Sequence, residues 1–337
     1  ALIARAAHNG SVISKRTIDQ WHTRFWPLKS GPAQLPRRLV AKDNRVYVTL
    51  GIEAPVSVLD AATGKTVRTV PNTEHAREIL LSDGVLLVLC GERDWGGPAR
   101  ADEAESVAAI RQTCNNWAWS APERDLLAFD AETGRLLWRR PQTSAPLTLA
   151  ADADRVVCHD GEKVVCRKVR TGEVQWTSKP VPRWQTIRSY FGPTLVLHDG
   201  VVFFAGGEKM VPHRGGRDSM TALDAADGSV LWTADHPPSG YQSPEDILVA
   251  GGLVWTGAIT NGKDSGQFTG RDPLTGRVRR EFEPDVVTHW FHHRCYRARA
   301  TDRFLLTSRT GIEFLDVKPP HHWTIHHWTR GGCLYGI

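Results

Sequence analysis

The sequence predicts an all-β architecture of small sheets, stacked or arranged radially, and three observations predict it. A short turn pattern recurs down the chain, an apolar or alternating run precedes each copy, and a tryptophan follows three of the copies at a fixed distance. The copies are Asp60-Ala-Ala-Thr63-Gly64, Asp130-Ala-Glu-Thr133-Gly134, Arg170-Thr171-Gly172, Asp224-Ala-Ala-Asp227-Gly228 and Asp272-Pro-Leu-Thr275-Gly276. Each reads as a strand, a tight turn and a second strand. Trp138, Trp176 and Trp232 stand four residues past the glycine, and Arg68 and Arg280 hold that place in the other two copies. A worn copy, Asn9-Gly10, opens the chain. One small sheet cannot bury its apolar face alone, so repeats of this period pack against one another.

The turn chemistry explains the residue types. Glycine supplies the positive φ that closes the turn without a Cβ clash. The aspartate or threonine side chain bonds to N–H groups inside the turn. A tryptophan on the outgoing strand covers the neighbouring sheet and offers its indole N–H to a carbonyl. Successive turn glycines lie 54, 70, 38, 56 and 48 residues apart, the length of a four-stranded blade with variable loops. An eroded turn follows Asp316 at Pro319-Pro320, 44 residues after Gly276. The chain therefore holds about six blades' worth of sequence with part-blades at its ends, as expected for a β-propeller of about seven or eight four-stranded blades in the intact protein. Residues 1–337 read as one propeller domain, which begins at Ala1 without a methionine and ends in mid-pattern at Gly336-Ile337, as a piece of a longer chain would.

Composition bounds the partners. The net charge is +5, with 42 basic residues spread among 37 acidic ones, so no nucleic-acid partner is expected. The most apolar stretch, Ile79 to Cys90, is broken by Ser82, Asp83 and Gly84, and no transmembrane segment is predicted. The six cysteines form no C-x-x-C motif and no adjacent pair, which excludes zinc-ribbon and thioredoxin chemistry. Cys158 and Cys166 flank a hairpin turn at Asp160-Gly161-Glu162. Their even spacing puts them on one face, as a cross-strand disulfide or as two small buried residues.

Residues 93–123 interrupt the repeat. Pro98 to Arg111 reads as a short helix, followed by Trp117 and Trp119, which suit a recognition surface or an anchor for the insertion itself. Lys29, Arg37 and Arg38 form a basic loop whose plainer reading is a connector between blades.

Seven of the fourteen histidines fall between His289 and His327. Extended backbone over His289 to Tyr296 puts His289, Phe291, His293 and Cys295 on one face. Two imidazoles and a thiol suit Zn²⁺ or copper, and Cys333 or a member of the His321/His322 pair completes a candidate four-coordinate transition-metal site. The alternative is structural histidines bonded to carbonyls. In Trp323 to Trp328 the alternation puts His327 with Trp323 and Ile325, and His326 with Thr324 and Trp328. Arg294, Arg297, Arg299, Arg303 and Arg309 crowd the same region, where they either clamp an anion or line a solvated strand face.

The run A-x-D-x-x-T-G-x-x-x-W, carried best by Leu127-Ala-Phe-Asp130 to Trp138 and by Ala222-Leu-Asp224 to Trp232, resembles the repeat of the quinoprotein alcohol dehydrogenase-like propellers, the pyrroloquinoline quinone (PQQ) repeat fold. The stretches Trp26 to Ala33, Leu35 to Ala41, Ser308 to Phe314 and Arg330 to Gly336 are similar to those of uncharacterised PQQ-like repeat proteins of planctomycete-type bacteria. This resemblance implies either a PQQ-dependent oxidoreductase or a propeller without catalysis that binds a protein or polymer partner through its loops. It also implies a periplasmic or extracytoplasmic location. In the enzymes it implies PQQ with calcium, an aspartate base and a tryptophan beneath the quinone. Arg294, Arg297 and Arg309 would then hold the three quinone carboxylates. The adjacent cysteine pair usual in those enzymes is absent from this chain.

Overall fold

A computed structural model describes residues 1–18, 37–51, 53–91, 116–118, 121–183, 186–188, 193–206, 218–236, 246–257, 267–283, 298–307, 311–326 and 328–329. The helix expected over Pro98 to Arg111 lies outside them. Among the described residues the regular structure is strand, in six four-stranded antiparallel sheets and two short ribbons. The first ribbon pairs β1 (Leu2–Arg5) with β2 (Val12–Arg16). Blade 1 is β3 (Leu39–Lys42), β4 (Arg45–Thr49), β5 (Val56–Asp60) and β6 (Thr66–Thr69). Blade 2 is β7 (Ala76–Ser82), β8 (Val85–Cys90), β10 (Glu123–Asp130) and β11 (Leu136–Thr143), with β9 (Asn116–Ala118) lying between β8 and β10 in the chain. Blade 3 is β12 (Ala150–Ala151), β13 (Arg155–His159), β14 (Lys163–Lys168) and β15 (Val174–Pro180). The second ribbon pairs β16 (Thr186–Arg188) with β9. Blade 4 is β17 (Thr194–His198), β18 (Val201–Ala205), β19 (Asp218–Asp224) and β20 (Val230–His236). Blade 5 is β21 (Leu248–Ala250), β22 (Leu253–Gly257), β23 (Phe268–Arg271) and β24 (Val278–Phe282). Blade 6 is β25 (Arg299–Ala300), β26 (Phe304–Thr307), β27 (Ile312–Asp316) and β28 (Trp323–His326).

Strands pair in chain order within every blade. The first strands of successive blades, β3, β7, β12 and β17, and then β21 and β25, touch one another in turn. The blades therefore stand around an axis lined by their first strands, which is a β-propeller. Apolar clusters fill the gaps between neighbouring blades, for instance Tyr47, Val58 and Ile79 with Phe129 between blades 1 and 2. The eroded Pro319-Pro320 turn belongs to a complete four-stranded blade, whereas Asn9-Gly10 joins only two strands.

The repeat turn does what its residues predict. Asp60 Oδ1 accepts bonds from the Thr63 N–H and hydroxyl, both at 2.8 Å, and Asp130 Oδ1 holds Thr133 in the same way at 2.8 and 2.7 Å. The threonine side-chain bonds, then the backbone ones, hold both exposed carboxyls below the usual aspartate range. Immediately before the turn a β-bulge shifts the register, at Ala4/Arg5, Val58/Leu59, Ala128/Phe129, Cys166/Arg167, Ala222/Leu223 and Gly270/Arg271. The bulge re-aims the outgoing strand so that the residue four past the glycine points at the next blade.

That residue locks the blades together. Trp138 Nε1 donates to the Val169 carbonyl at 2.8 Å, Trp176 Nε1 to Ala225 at 2.9 Å and Trp232 Nε1 to Pro273 at 2.8 Å. Arg280 Nη1 donates to Val317 at 2.9 Å, and Arg68 Nη2 to Ala131. The acceptor is always the same position of the next turn, so arginine replaces tryptophan without changing the bond. The indole also lies flat on the next turn's glycine. A Cβ on Gly172 would meet Trp138 at 2.7 Å, and one on Gly276 would meet Trp232 at 2.7 Å. Glycine is therefore required at these turns for close approach as well as for its φ of +71° and +69°.

The one-face reading of Cys158 and Cys166 is overturned. Cys158 pairs with Val165 and Cys166 with Val157, so the two thiols point to opposite faces. The register across this hairpin makes facing residues differ by odd numbers, and even spacing then separates them. Both are free and buried, Cys158 in the cluster shared with blade 2 and Cys166 in the cluster shared with blade 4. Burial pushes both thiols, and that of Cys90, up to about 12. We expect these three to resist alkylation at pH 8 in the native protein and to react after denaturation, as read by mass mapping.

Candidate functional site at the rim opposite the repeat turns

The two hairpins of each blade lie at one end of the propeller, where the N–H after the repeat aspartate donates to the first hairpin, as Ala131 does to Gly84 at 2.8 Å. The opposite rim carries the connections between second and third strands and between blades. Buried charge collects there. Among the described residues Arg38, Arg77, Glu78, Arg124, His159, His236 and Glu313 are buried at strand ends on this rim, while Asp316 alone is buried at the turn end.

Glu78 is the centre of one cluster. It lies on β7, the first strand of blade 2, and is 1% exposed. Its Oε1 accepts the Leu147 N–H at 2.6 Å, and its Oε2 stands 3.4 Å from Arg37 Nη1. Arg37 also donates to the Leu149 carbonyl at 2.7 Å and to the Leu147 carbonyl at 3.1 Å. Arg37, just ahead of β3, is thus a tether that joins blades 1, 2 and 3. Leu147 has φ +65°, a left-handed conformation that strains a bulky L-residue. The equivalent connection from blade 1 has Asn72 at φ +59°, in the matching run Val70-Pro71-Asn72-Thr73 against Ala145-Pro146-Leu147-Thr148. Thr73 and Thr148 each donate back to the first carbonyl of the run at 2.7 Å. Asparagine tolerates this backbone, and leucine is held in it by Glu78 and Arg37.

His159 ends β13 and is fully buried. Its Nδ1 accepts the Gly161 N–H at 3.1 Å, which leaves Nε2 to donate to the Val181 carbonyl at 2.9 Å. The ring stacks on Phe204 of blade 4 at 4.4 Å. Burial pushes its pKa down to about 4, against the weaker opposing effect of the Val181 bond. The folded state therefore binds fewer protons than the unfolded state between the unfolded value of 6.5 and about 4. The stabilisation is complete above pH 6.5 and is lost as pH falls, by about 3 kcal/mol at pH 4. Urea denaturation of the wild type and His159→Gln between pH 7 and 4 checks this, since the variant will show a shallower acid loss.

Of the residues read as metal ligands from sequence, the structure describes the His321/His322 pair, with the His321 ring stacked on Phe282 at 4.0 Å and its Nδ1 3.2 Å from the Asp316 carbonyl, and His322 beside it. His322 is exposed, immediately before β28 at the turn end of blade 6, and its carbonyl accepts the Asp316 N–H at 3.0 Å. His289, His293, Arg294, Cys295, Arg297, Arg309 and Cys333 lie outside the described residues. The alternation over 323–326 has Trp323 buried with Thr324 and His326 exposed, as expected. Among the described residues no group of three or more histidine, cysteine, aspartate or glutamate side chains could hold a metal, and no helix is long and apolar enough to cross a membrane. Sequence reading missed Glu78 and His159. The signal for Glu78 was a charged pair, Arg77-Glu78, at the head of an apolar strand.

The propeller is similar to several solved structures. Hsv2 from Kluyvelomyces marxianus superimposes with a TM-score of 0.52 at 10% identity, covering 86% of this chain and 85% of that one, which is a likeness of fold. BamB from Moraxella catarrhalis gives 0.48 at 13% identity over 86% and 72%. A europium-containing methanol dehydrogenase gives 0.47 at 12% over 88% and 69%. No curated protein matches the sequence. Residues 2–177 and, overlapping them, 122–283 match the family model described as outer membrane protein assembly factor BamB, and the chain belongs to that family of PQQ-like repeat β-propellers.

Proposed function

We propose that this propeller domain, residues 1–337, is a ligand- or protein-binding scaffold that acts through the connections on its rim. The observation that carries the reading is how the rim's reactive groups are used. The Glu78 carboxylate holds Leu147 and Arg37, His159 is bonded through both nitrogens, and the buried thiols are held protonated. These groups fix the blades and leave binding to the long segments between them, such as residues 92–115 and 284–297. The name of the family, an outer membrane protein assembly factor, supports a polypeptide partner and an extracytoplasmic location.

A photo-crosslinking residue at Ala121 or Arg183 on the rim will trap a polypeptide, whereas one at Thr63 or Thr133 in the repeat turns will not. The alternative is the quinoprotein reading, and chain order supports it. Arg294 and Arg297 lie between β24 and β25, and Arg309 between β26 and β27, strands that end and begin at this rim. PQQ with Ca²⁺ and transition-metal content test it. A quinone absorption shift abolished by Arg294→Ala and Arg309→Ala would replace the scaffold by a PQQ oxidoreductase. Stoichiometric metal lost in His293→Ala and Cys295→Ala would replace it by a metal site.

A further inference from the structure

Where two blades meet, the residue two past the junction tryptophan or arginine faces the residue just before the next repeat turn. Val70 meets Phe129 in this way between blades 1 and 2, and Phe282 meets Leu315 between blades 5 and 6, each pair inside an apolar cluster. Between blades 2 and 3 the same two places hold Arg140 and Arg167. Among the described junctions this is the one with a basic side chain at both.

The two arginines close on one turn. A Cβ on Gly172 would meet Arg140 Cγ at 3.0 Å, and Arg167 Nη1 donates to the Gly172 carbonyl at 2.9 Å. Arg167 Nε donates to Gln142 Oε1 at 2.7 Å, and its Nη2 to the Pro141 carbonyl at 3.2 Å. Arg140 donates to the carbonyls of Arg139 at 3.2 Å and Thr171 at 3.5 Å. Every one of these acceptors is a neutral oxygen, so neither guanidinium has a carboxylate bonded to it among the described residues. Each terminal nitrogen of Arg167 keeps one N–H after these bonds. Burial lowers the Arg167 pKa; the Cys158 thiol opposes this and the Arg140 charge adds to it. The neighbouring arginines differ, since Arg139 is paired with Asp125, and Arg170 with Asp83 at 3.0 Å. Glu173, an acid close enough to feel Arg140, is held by Lys168 at 2.9 Å. Arg140, Arg167 and Lys168 against Glu173 therefore leave an excess of positive charge in a groove that is open to solvent, with Arg140 exposed and Arg167 half-buried.

We infer that Arg140 and Arg167 form a phosphate site in the groove between blades 2 and 3, beside the contact of Trp138 with Gly172. The two planar forks come from strands of different blades, β11 and β14, and converge on the same turn. A planar carboxylate satisfies one such fork, whereas a tetrahedral phosphate presents oxygens to both. A phosphate monoester carries a charge of about −1.5 to −2 at neutral pH, which matches the excess. The phosphate is that of a small molecule or of a lipid headgroup, and the experiment separates these sources.

Inorganic phosphate titrated into the full chain at low ionic strength, followed by calorimetry, is the test. Saturable one-to-one binding is expected. Arg140→Gln and Arg167→Gln will each weaken it by about tenfold, while Arg139→Gln and Arg170→Gln, which break ion pairs beside the groove, will leave it within about twofold. The circular dichroism spectrum of Arg140→Gln will match the wild type, because that side chain is exposed, so a folding defect in Arg167→Gln does not decide the result. Vesicles of phosphatidylcholine with and without phosphatidic acid identify the source. Cosedimentation that requires both phosphatidic acid and Arg140 assigns the phosphate to a lipid headgroup, and phosphate binding without cosedimentation assigns it to a small molecule. Absence of saturable phosphate binding, equal losses in Arg139→Gln and Arg140→Gln, or acetate bound as tightly as phosphate would overturn the inference.

Discussion

Trp138→Ala will lower the unfolding free energy by about 3–5 kcal/mol, the range for truncating a buried aromatic residue. The indole is 5% exposed and covers Gly172, and its N–H is the bond to Val169 that joins blade 2 to blade 3. Both the apolar contact and the partner of a buried carbonyl disappear together. Trp138→Arg is the informative control. Arg68 and Arg280 make the same bond at their own junctions, so the guanidinium will restore the acceptor and part of the cover. Its cost will be roughly half that of alanine. Urea melts of the three proteins check the order, and an arginine variant as unstable as alanine would show that the bond contributes little.

Glu78→Leu will cost about 3 kcal/mol, although leucine is the more apolar residue and β7 is an apolar strand. The carboxylate is the acceptor for the buried Leu147 N–H and the counter-charge of Arg37. Removing it leaves a donor unsatisfied and a half-buried guanidinium without its anion, while the Leu147 backbone loses its restraint. The coupling is measurable. In a Leu147→Gly background, where the left-handed conformation carries no strain, Glu78→Leu will cost at least about 0.5 kcal/mol less. Strict additivity in that cycle would detach the strain at Leu147 from the carboxylate.

How far the sequence revealed these parts depends on whether their cause is local. Asp60, Thr63 and Gly64 form their turn from neighbours within five residues, so the pattern declares itself. Trp138 could be read as an inter-sheet cover because its spacing from the glycine is constant. Its acceptor, Val169, lies 31 residues away and carries no mark in the sequence, because a backbone carbonyl has no residue identity. The rim shows the same limit more strongly. Arg37 reaches carbonyls 110 and 112 residues away, and what made it legible was charge in a Pro/Gly-rich connector. His159 carries no mark in the sequence, since nothing near it foretells Phe204 or the Val181 carbonyl. The error at Cys158 and Cys166 came from carrying strand parity across a hairpin, where the loop resets it.

The uniform hand-over from blade to blade has a consequence for how such a protein can change. The residue identities that recur from junction to junction, the glycine and the indole or guanidinium, sit at one end of the molecule. Away from the Arg37–Glu78 tether and His159, the other end can lengthen its connections, as the interval between β8 and β10 already shows by holding more than thirty residues where β13 and β14 are joined by three. Specificity can therefore drift quickly on one side of the disc while foldability stays fixed on the other.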